Sequence, residues 1–81
     1  MKPTWIMDAG HGWLAVPLAT CEGLDISPYS YVNGDFAYLE EDCDAGTWIK
    51  ARQIPDSEWT QYPTKWINGD WSGRNYRRFG Q

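Results

Sequence analysis

Histidine occurs once, at His11, and cysteine twice, at Cys21 and Cys43, so the chain is short of the side chains that most metal and nucleophile chemistry needs. Zinc takes four ligands, usually in closely spaced pairs, and one His with two distant Cys does not make that pattern. The sequence contains no Walker loop, no G-x-S-x-G, no G-x-G-x-x-G and no H-E-x-x-H, so no ready-made phosphate cradle, serine elbow or zincin helix is present. Basic residues are also few: 7 Lys and Arg stand against 11 Asp and Glu, a net charge of −4 that gives no general attraction to duplex DNA. No apolar run approaches the roughly 20 residues that cross a bilayer, and no lipidation motif occurs, which argues against a membrane partner. With no signal peptide ahead of them, the two cysteines are expected as reduced thiols and the protein as cytoplasmic.

Aromatic side chains are abundant instead. A chain of 81 residues is expected to form one domain, residues 1–81, because at this size only roughly 60% of the unfolded surface is buried and two cores cannot be supported. Six Trp, five Tyr and two Phe meet that constraint, each ring removing about 150 to 250 Å² from water.

The apolar stretches around the turn sequence DAGH predict strands at residues 3–7 and 12–16, with Gly10 free to take a positive φ in the loop and Pro17 ending the second strand. LATCEG predicts one helical turn stopped by Gly23. In SPYSYVNGDFAYLE, Asn33 and Gly34 sit between two aromatic runs and predict a type I′ hairpin. With those two as the loop, Val32 opposes Asp35, Tyr31 opposes Phe36, Ser30 opposes Ala37 and Tyr29 opposes Tyr38. Tyr29, Tyr31, Phe36 and Tyr38 then make an aromatic wall, while Ser30, Val32, Ala37 and Leu39 form a flatter face on which a helix can lie. That helix follows, since Ala45, Trp48, Ile49 and Arg52 recur at helical spacing and Pro55 stops it. Residues 54–65 read as an irregular connector, and KWINGDW as a third hairpin leading into the C-terminal segment.

EEDCD, residues 40–44, sets four carboxylates in five positions. Adjacent Glu40 and Glu41 at a strand end point to opposite faces, and the segment lacks the Gly and distal Glu of a calcium loop, so no metal site is expected. Asp42 or Asp44 is expected to cap the helix that follows. His11, with Asp8, Cys21 or Cys43 beside it, would be the base of a small hydrolytic site, but a lone loop histidine is more often a turn or packing residue. The C-terminal SGRNYRRFG joins Arg74, Arg77 and Arg78 to Tyr76 and Phe79 and holds three of the seven basic residues. Guanidinium and aromatic planes together suit phosphate and base recognition or an acidic protein surface. Alternatively, the arginines pair with the EEDCD carboxylates and close the tail over the sheet.

HGWLAVP, ISPYSY and YLEEDCDA, with the closing Arg/aromatic segment, give the chain a resemblance to a family of small phage and prophage proteins. The likeness is densest over residues 8–51. It implies no activity, no cofactor and no catalytic residues; it implies a setting, in which small phage proteins act on the host by binding a host enzyme or by sequestering a small immune signal. The expected fold is α+β: a small antiparallel sheet built from two or three β-hairpins, with one main α-helix packed on one face. The expected function is that of a phage-encoded accessory binding protein, an anti-defence inhibitor or a sequestering protein for a phosphate-bearing nucleotide. Its partner-binding residues are expected to be Tyr29, Tyr31, Tyr76, Arg74, Arg77 and Arg78, its partner a host protein or phosphate-bearing small ligand, and its assembly a homodimer. A hydrolase using His11 and an acidic mimic of nucleic acid are the alternatives.

Overall fold

A computed structural model describes residues 2–81 of the chain. The elements run β1 Thr4–Met7, β2 Gly12–Pro17, a 3-10 turn Leu18–Cys21, β3 Tyr31–Asn33, β4 Phe36–Glu40, α1 Asp44–Ala51, α2 Asp56–Trp59, β5 Thr64–Trp66, a second 3-10 turn Ser72–Asn75, and β6 Arg77–Arg78. The fold is α+β, with α1 as the main helix and six strands in the order β5-β1-β2-β4-β3-β6. No helix of the described residues is long and apolar enough to cross a membrane.

Local chemistry explains most of these boundaries. The loop between β1 and β2 is held by Asp8, whose Oδ1 accepts the N–H groups of Gly10 and His11 at 3.0 and 2.9 Å, so the turn is made by a side chain and Gly10 does not need the positive φ expected of it. Gly23, at φ +80°, ends the first 3-10 turn. α1 ends where Gln53 enters the left-handed region at φ 54°, and its N–H closes on the Lys50 carbonyl at 3.1 Å just ahead of Pro55.

The β3–β4 pairing differs from the expected register. Tyr31 pairs with Tyr38, Val32 with Ala37 and Asn33 with Phe36, so the two-residue loop is Gly34 and Asp35. Gly34 has φ +60° and Asp35 stays at negative φ, the requirement of a type II′ turn with Gly at its first central position. A slip of two residues leaves the paired side chains of β3 and β4 on their expected faces, while Tyr29 and Ser30 fall outside the strand. Two further expectations are overturned. KWINGDW forms no hairpin: β5 pairs parallel to β1, Trp5 with Thr64 and Met7 with Trp66, and the sheet is therefore mixed and not antiparallel throughout. The connector is not irregular, since it contains α2 and β5.

Both faces of the sheet are covered. On one, Leu14, Val16, Ala37 and Leu39 pack with Ala45 and Trp48 of α1, Cys21 and Tyr62. On the other, Ile6, Trp13, Ala15 and Tyr31 meet Trp71, with Tyr38 and Tyr76 around it. Trp71 is the hub of that layer: its ring lies 4.6 Å from Trp13, 5.0 Å from Tyr38 and 5.6 Å from Tyr76. Gly73 makes this possible, because a Cβ there would overlap the Trp71 indole.

Candidate functional site

In the EEDCD segment neither Asp42 nor Asp44 caps α1 as expected. Cys43 is the N-cap residue of α1 and contributes no side-chain bond; its own N–H donates to Glu40 Oε1 at 2.8 Å. Asp44 is the first helical residue and is 1% exposed. Its carboxylate accepts the Ser27 N–H at 3.1 Å, the Ser27 hydroxyl at 2.6 Å and the Ser30 hydroxyl at 2.5 Å, while Ser30 Oγ accepts the Glu40 N–H at 2.9 Å. Asp44 therefore anchors the loop entering β3 and does not cap α1. Glu41 and Asp42 remain exposed. Among the described residues no three His, Cys, Asp or Glu side chains converge as a metal would require.

The arginines do not pair with this segment. Arg74, placed by the second 3-10 turn, sets Nη2 2.8 Å from Asp8 Oδ2, the ion pair of the described residues. The same oxygen accepts the Trp71 N–H at 2.9 Å and Arg74 Nε at 3.3 Å. Burial alone would raise the Asp8 carboxyl; the N–H groups of Trp71, Gly10 and His11 and the guanidinium of Arg74 outweigh it and hold the group far below the usual carboxylate range. Reciprocally, the hydrogen bond that Arg74 donates to Asp8 raises its guanidinium further. The Arg74 guanidinium lies 5.1 Å from the centre of the Trp13 ring. That of Arg78 lies 5.6 Å from the centre of Tyr31, and its Nη1 donates to the Pro28 carbonyl at 3.0 Å.

Between these two seated cations is a hollow of about 270 Å³. Trp13 and Tyr31 line it, Tyr29, His11, Arg74 and Arg78 surround it, and Glu40 and Asp42 add two carboxylates. Tyr29 is 71% exposed, unlike the buried Trp13 and Tyr31, and lies outside any strand. Four of the six residues expected to bind a partner, Tyr29, Tyr31, Arg74 and Arg78, are thus brought together, and beside them stands His11, the residue of the hydrolase alternative. Tyr76 is not among them, being packed on Tyr38 and Trp71. Arg77, on the other side of β6, bonds the Gln81 carbonyl. The aromatic wall is also rearranged: Tyr31 and Tyr38 keep their shared face, but their ring partners are Trp13 and Trp71.

His11 has no bonded carboxylate or thiol. Its Nδ1 lies 3.1 Å from Arg74 Nη2, and because a guanidinium only donates, Nδ1 is the acceptor. Asp8 binds the backbone of His11 and not its ring. Cys21 is buried in the core, where desolvation raises its thiol, and Cys43 is exposed; both are free.

Sequence reasoning missed Trp13, Glu40 and Asp42 as lining and Asp8 as the group that positions Arg74. Trp13 and Glu40 face each other across β2 and β4, a pairing that the hairpin signals on either side did not reveal. No family model matches the chain, and neither a curated protein nor a solved structure matches it.

Proposed function

We propose that the chain is a non-catalytic binding protein whose arginine-aromatic hollow captures a phosphate-bearing small ligand of the nucleotide type. The observation that carries this reading is the pair of guanidinium groups seated on Trp13 and Tyr31 at either side of one hollow, with the exposed Tyr29 ring at its edge. Arg74 is already bound to Asp8, so it is fixed and partly neutralised; Arg78 gives only one bond, to a carbonyl, and keeps donors for a phosphate. Tyr29 offers a face for base stacking, worth about 1 to 3 kcal/mol per base. Glu40 and Asp42 accept from donors at the other end of a ligand, such as sugar hydroxyls or a base amino group. The volume is close to the lower end of small-molecule sites, about 300 Å³, which suits one nucleotide unit with part of the ligand outside.

In the phage setting that the sequence resemblance implies, capture would deprive the host of a nucleotide signal in its cytoplasm. Calorimetric titration with AMP, ADP and a cyclic dinucleotide, with adenosine as the control, tests the reading. Saturable binding of a phosphate-bearing member, at least tenfold tighter than adenosine and lost in Arg78→Ala, is expected. Binding by none of them, or affinity indifferent to Arg78, refutes it and moves the choice to a host protein, which an interaction screen from bacterial lysate would then identify.

A further inference from the structure

A second hollow, of about 640 Å³, lies between α1, α2 and the β1–β5 edge and shares no residue with the arginine site. We propose that it binds an organic cation with an apolar body, a tertiary or quaternary ammonium. Its walls are the indoles of Trp5 and Trp59, set edge-to-face with centroids 6.2 Å apart, and the side chains of Met7 and Ile49. Both indole N–H groups are already engaged: Trp5 Nε1 donates to the Trp59 carbonyl at 3.3 Å and Trp59 Nε1 to Asp56 Oδ1 at 2.9 Å. The rings therefore offer carbon surface and π faces, which attract cations.

The charge of the lining decides between ligand classes. Glu41 and Asp56 both border the hollow, neither makes an ion pair among the described residues, and no Lys, Arg or His lines it. Glu41 Oε2 and Met7 Sδ occupy the space above Gly12, where a Cβ would collide with both, so the missing side chain of Gly12 places a carboxylate beside the thioether. An anionic ligand would meet two carboxylates here, and a neutral apolar one would gain nothing from them. A cation with an apolar body satisfies both the rings and the acids, and the volume lies within the roughly 300 to 1,000 Å³ of small-molecule sites.

Gly46 supplies an independent handle. It borders the hollow on α1, and a Cβ added there meets nothing within 4 Å, so Gly46→Leu brings a bulky side chain to the rim of the hollow without a clash at its Cβ while favouring the helix. The experiment is a tryptophan-fluorescence and calorimetric titration of the whole chain with benzyltrimethylammonium at fixed ionic strength, beside benzyl alcohol and benzoate. Saturable binding of the cation at least tenfold tighter than of the alcohol, with none for benzoate, is expected. Gly46→Leu should abolish it, Glu41→Gln with Asp56→Asn should weaken it at least fivefold, and Arg78→Ala should leave it unchanged. Thermal melting establishes that each variant folds; if Gly46→Leu does not, the charge variant and the three-ligand comparison still decide. Equal affinity for cation and alcohol, no saturable binding, or undiminished affinity in a folded Gly46→Leu or charge variant overturns the proposal.

Discussion

Arg74 Nη2 sits 2.8 Å from Asp8 Oδ2, which joins the turn after the first strand to a 3-10 turn 66 residues later. The Asp8 side chain is fully shielded and receives donors on both oxygens, whereas Arg74 keeps 32% of its side-chain surface and reaches the hollow. One carboxylate thus shapes its own loop, holds the Trp71 backbone and aims a guanidinium.

Asp8→Asn should therefore destabilise the fold by about 2 kcal/mol at neutral pH, because the amide N–H₂ would face either the Trp71 N–H and Arg74 or the Gly10 and His11 N–H groups. The acid side carries its own signature. A carboxyl whose folded pKa lies below its unfolded value stabilises fully above about pH 3.9 and loses that contribution as pH falls from there toward the folded value. The melting temperature of the wild type should fall below about pH 4 more steeply than that of Asp8→Asn. Parallel slopes would show that Asp8 does not carry the acid dependence.

Two acids two positions apart should behave oppositely. Asp44→Asn removes a buried acceptor of three donors and leaves at least one of the Ser27 and Ser30 groups without its partner, a loss of about 2 to 3 kcal/mol. Asp42→Asn alters an exposed side chain and should stay within about 0.5 kcal/mol. Denaturant titration of both variants measures the contrast; equal effects would mean that the Asp44 cluster does not hold the loop.

Gly34→Val should cost several-fold more than Asn33→Val, since only Gly34 occupies the left-handed region and a β-branched side chain fits it poorly. A type I′ turn on Asn33 and Gly34 would require positive φ at both and would make both changes severe. Urea midpoints for the pair distinguish the two turns.

The adjacent arginines at the C-terminus should separate under titration with the nucleotide panel. Arg78 borders the hollow and Arg77 does not, so Arg78→Ala should remove about 1.5 to 3 kcal/mol of binding, the value of a charge-assisted bond, while Arg77→Ala leaves affinity intact. Neither should move the melting temperature by more than a degree or two, because both side chains are exposed. Equal losses of affinity would point to a diffuse electrostatic effect.

Short-range signals were readable to the extent that a nearby residue produced them. Gly23 as a stop, the β1–β2 loop and the helical spacing of Ala45 and Trp48 all come from neighbours within a few positions, and the structure contains each. Asn33 with Gly34 marked a turn but not its type, because glycine satisfies the first central position of a II′ turn as readily as the second of a I′ turn. The parallel β5 was illegible: TKW carries no alternation of its own, all three residues are exposed, and its pairing depends on β1 sixty residues away. Asp44 was misread for a related reason. An acid at a helix start is ordinarily a cap, and only the return of Ser27 and Ser30 to the same point gives it different partners. The arginine hollow was half legible, since tail arginines and hairpin tyrosines were visible as types, while the Trp13 and Glu40 between them needed the β2–β4 register.

The last eighteen residues supply the outermost strand at both edges of the sheet, β5 beside β1 and β6 beside β3, and cross one face between them through Trp71. A nascent chain that has emerged only to Tyr62 can pair β1, β2, β4 and β3 but leaves both of its borders with unsatisfied N–H and C=O groups, a template for other chains. Closure of those borders waits for contacts such as Asp8 with Trp71, 63 residues apart, which are slow to form because a long loop must be ordered first. β5 and β6 replace those borders with shorter ones that carry Lys65, Arg77 and Arg78, charges that discourage further pairing, and loss of residues 64–81 should yield an associating protein and not a smaller monomer.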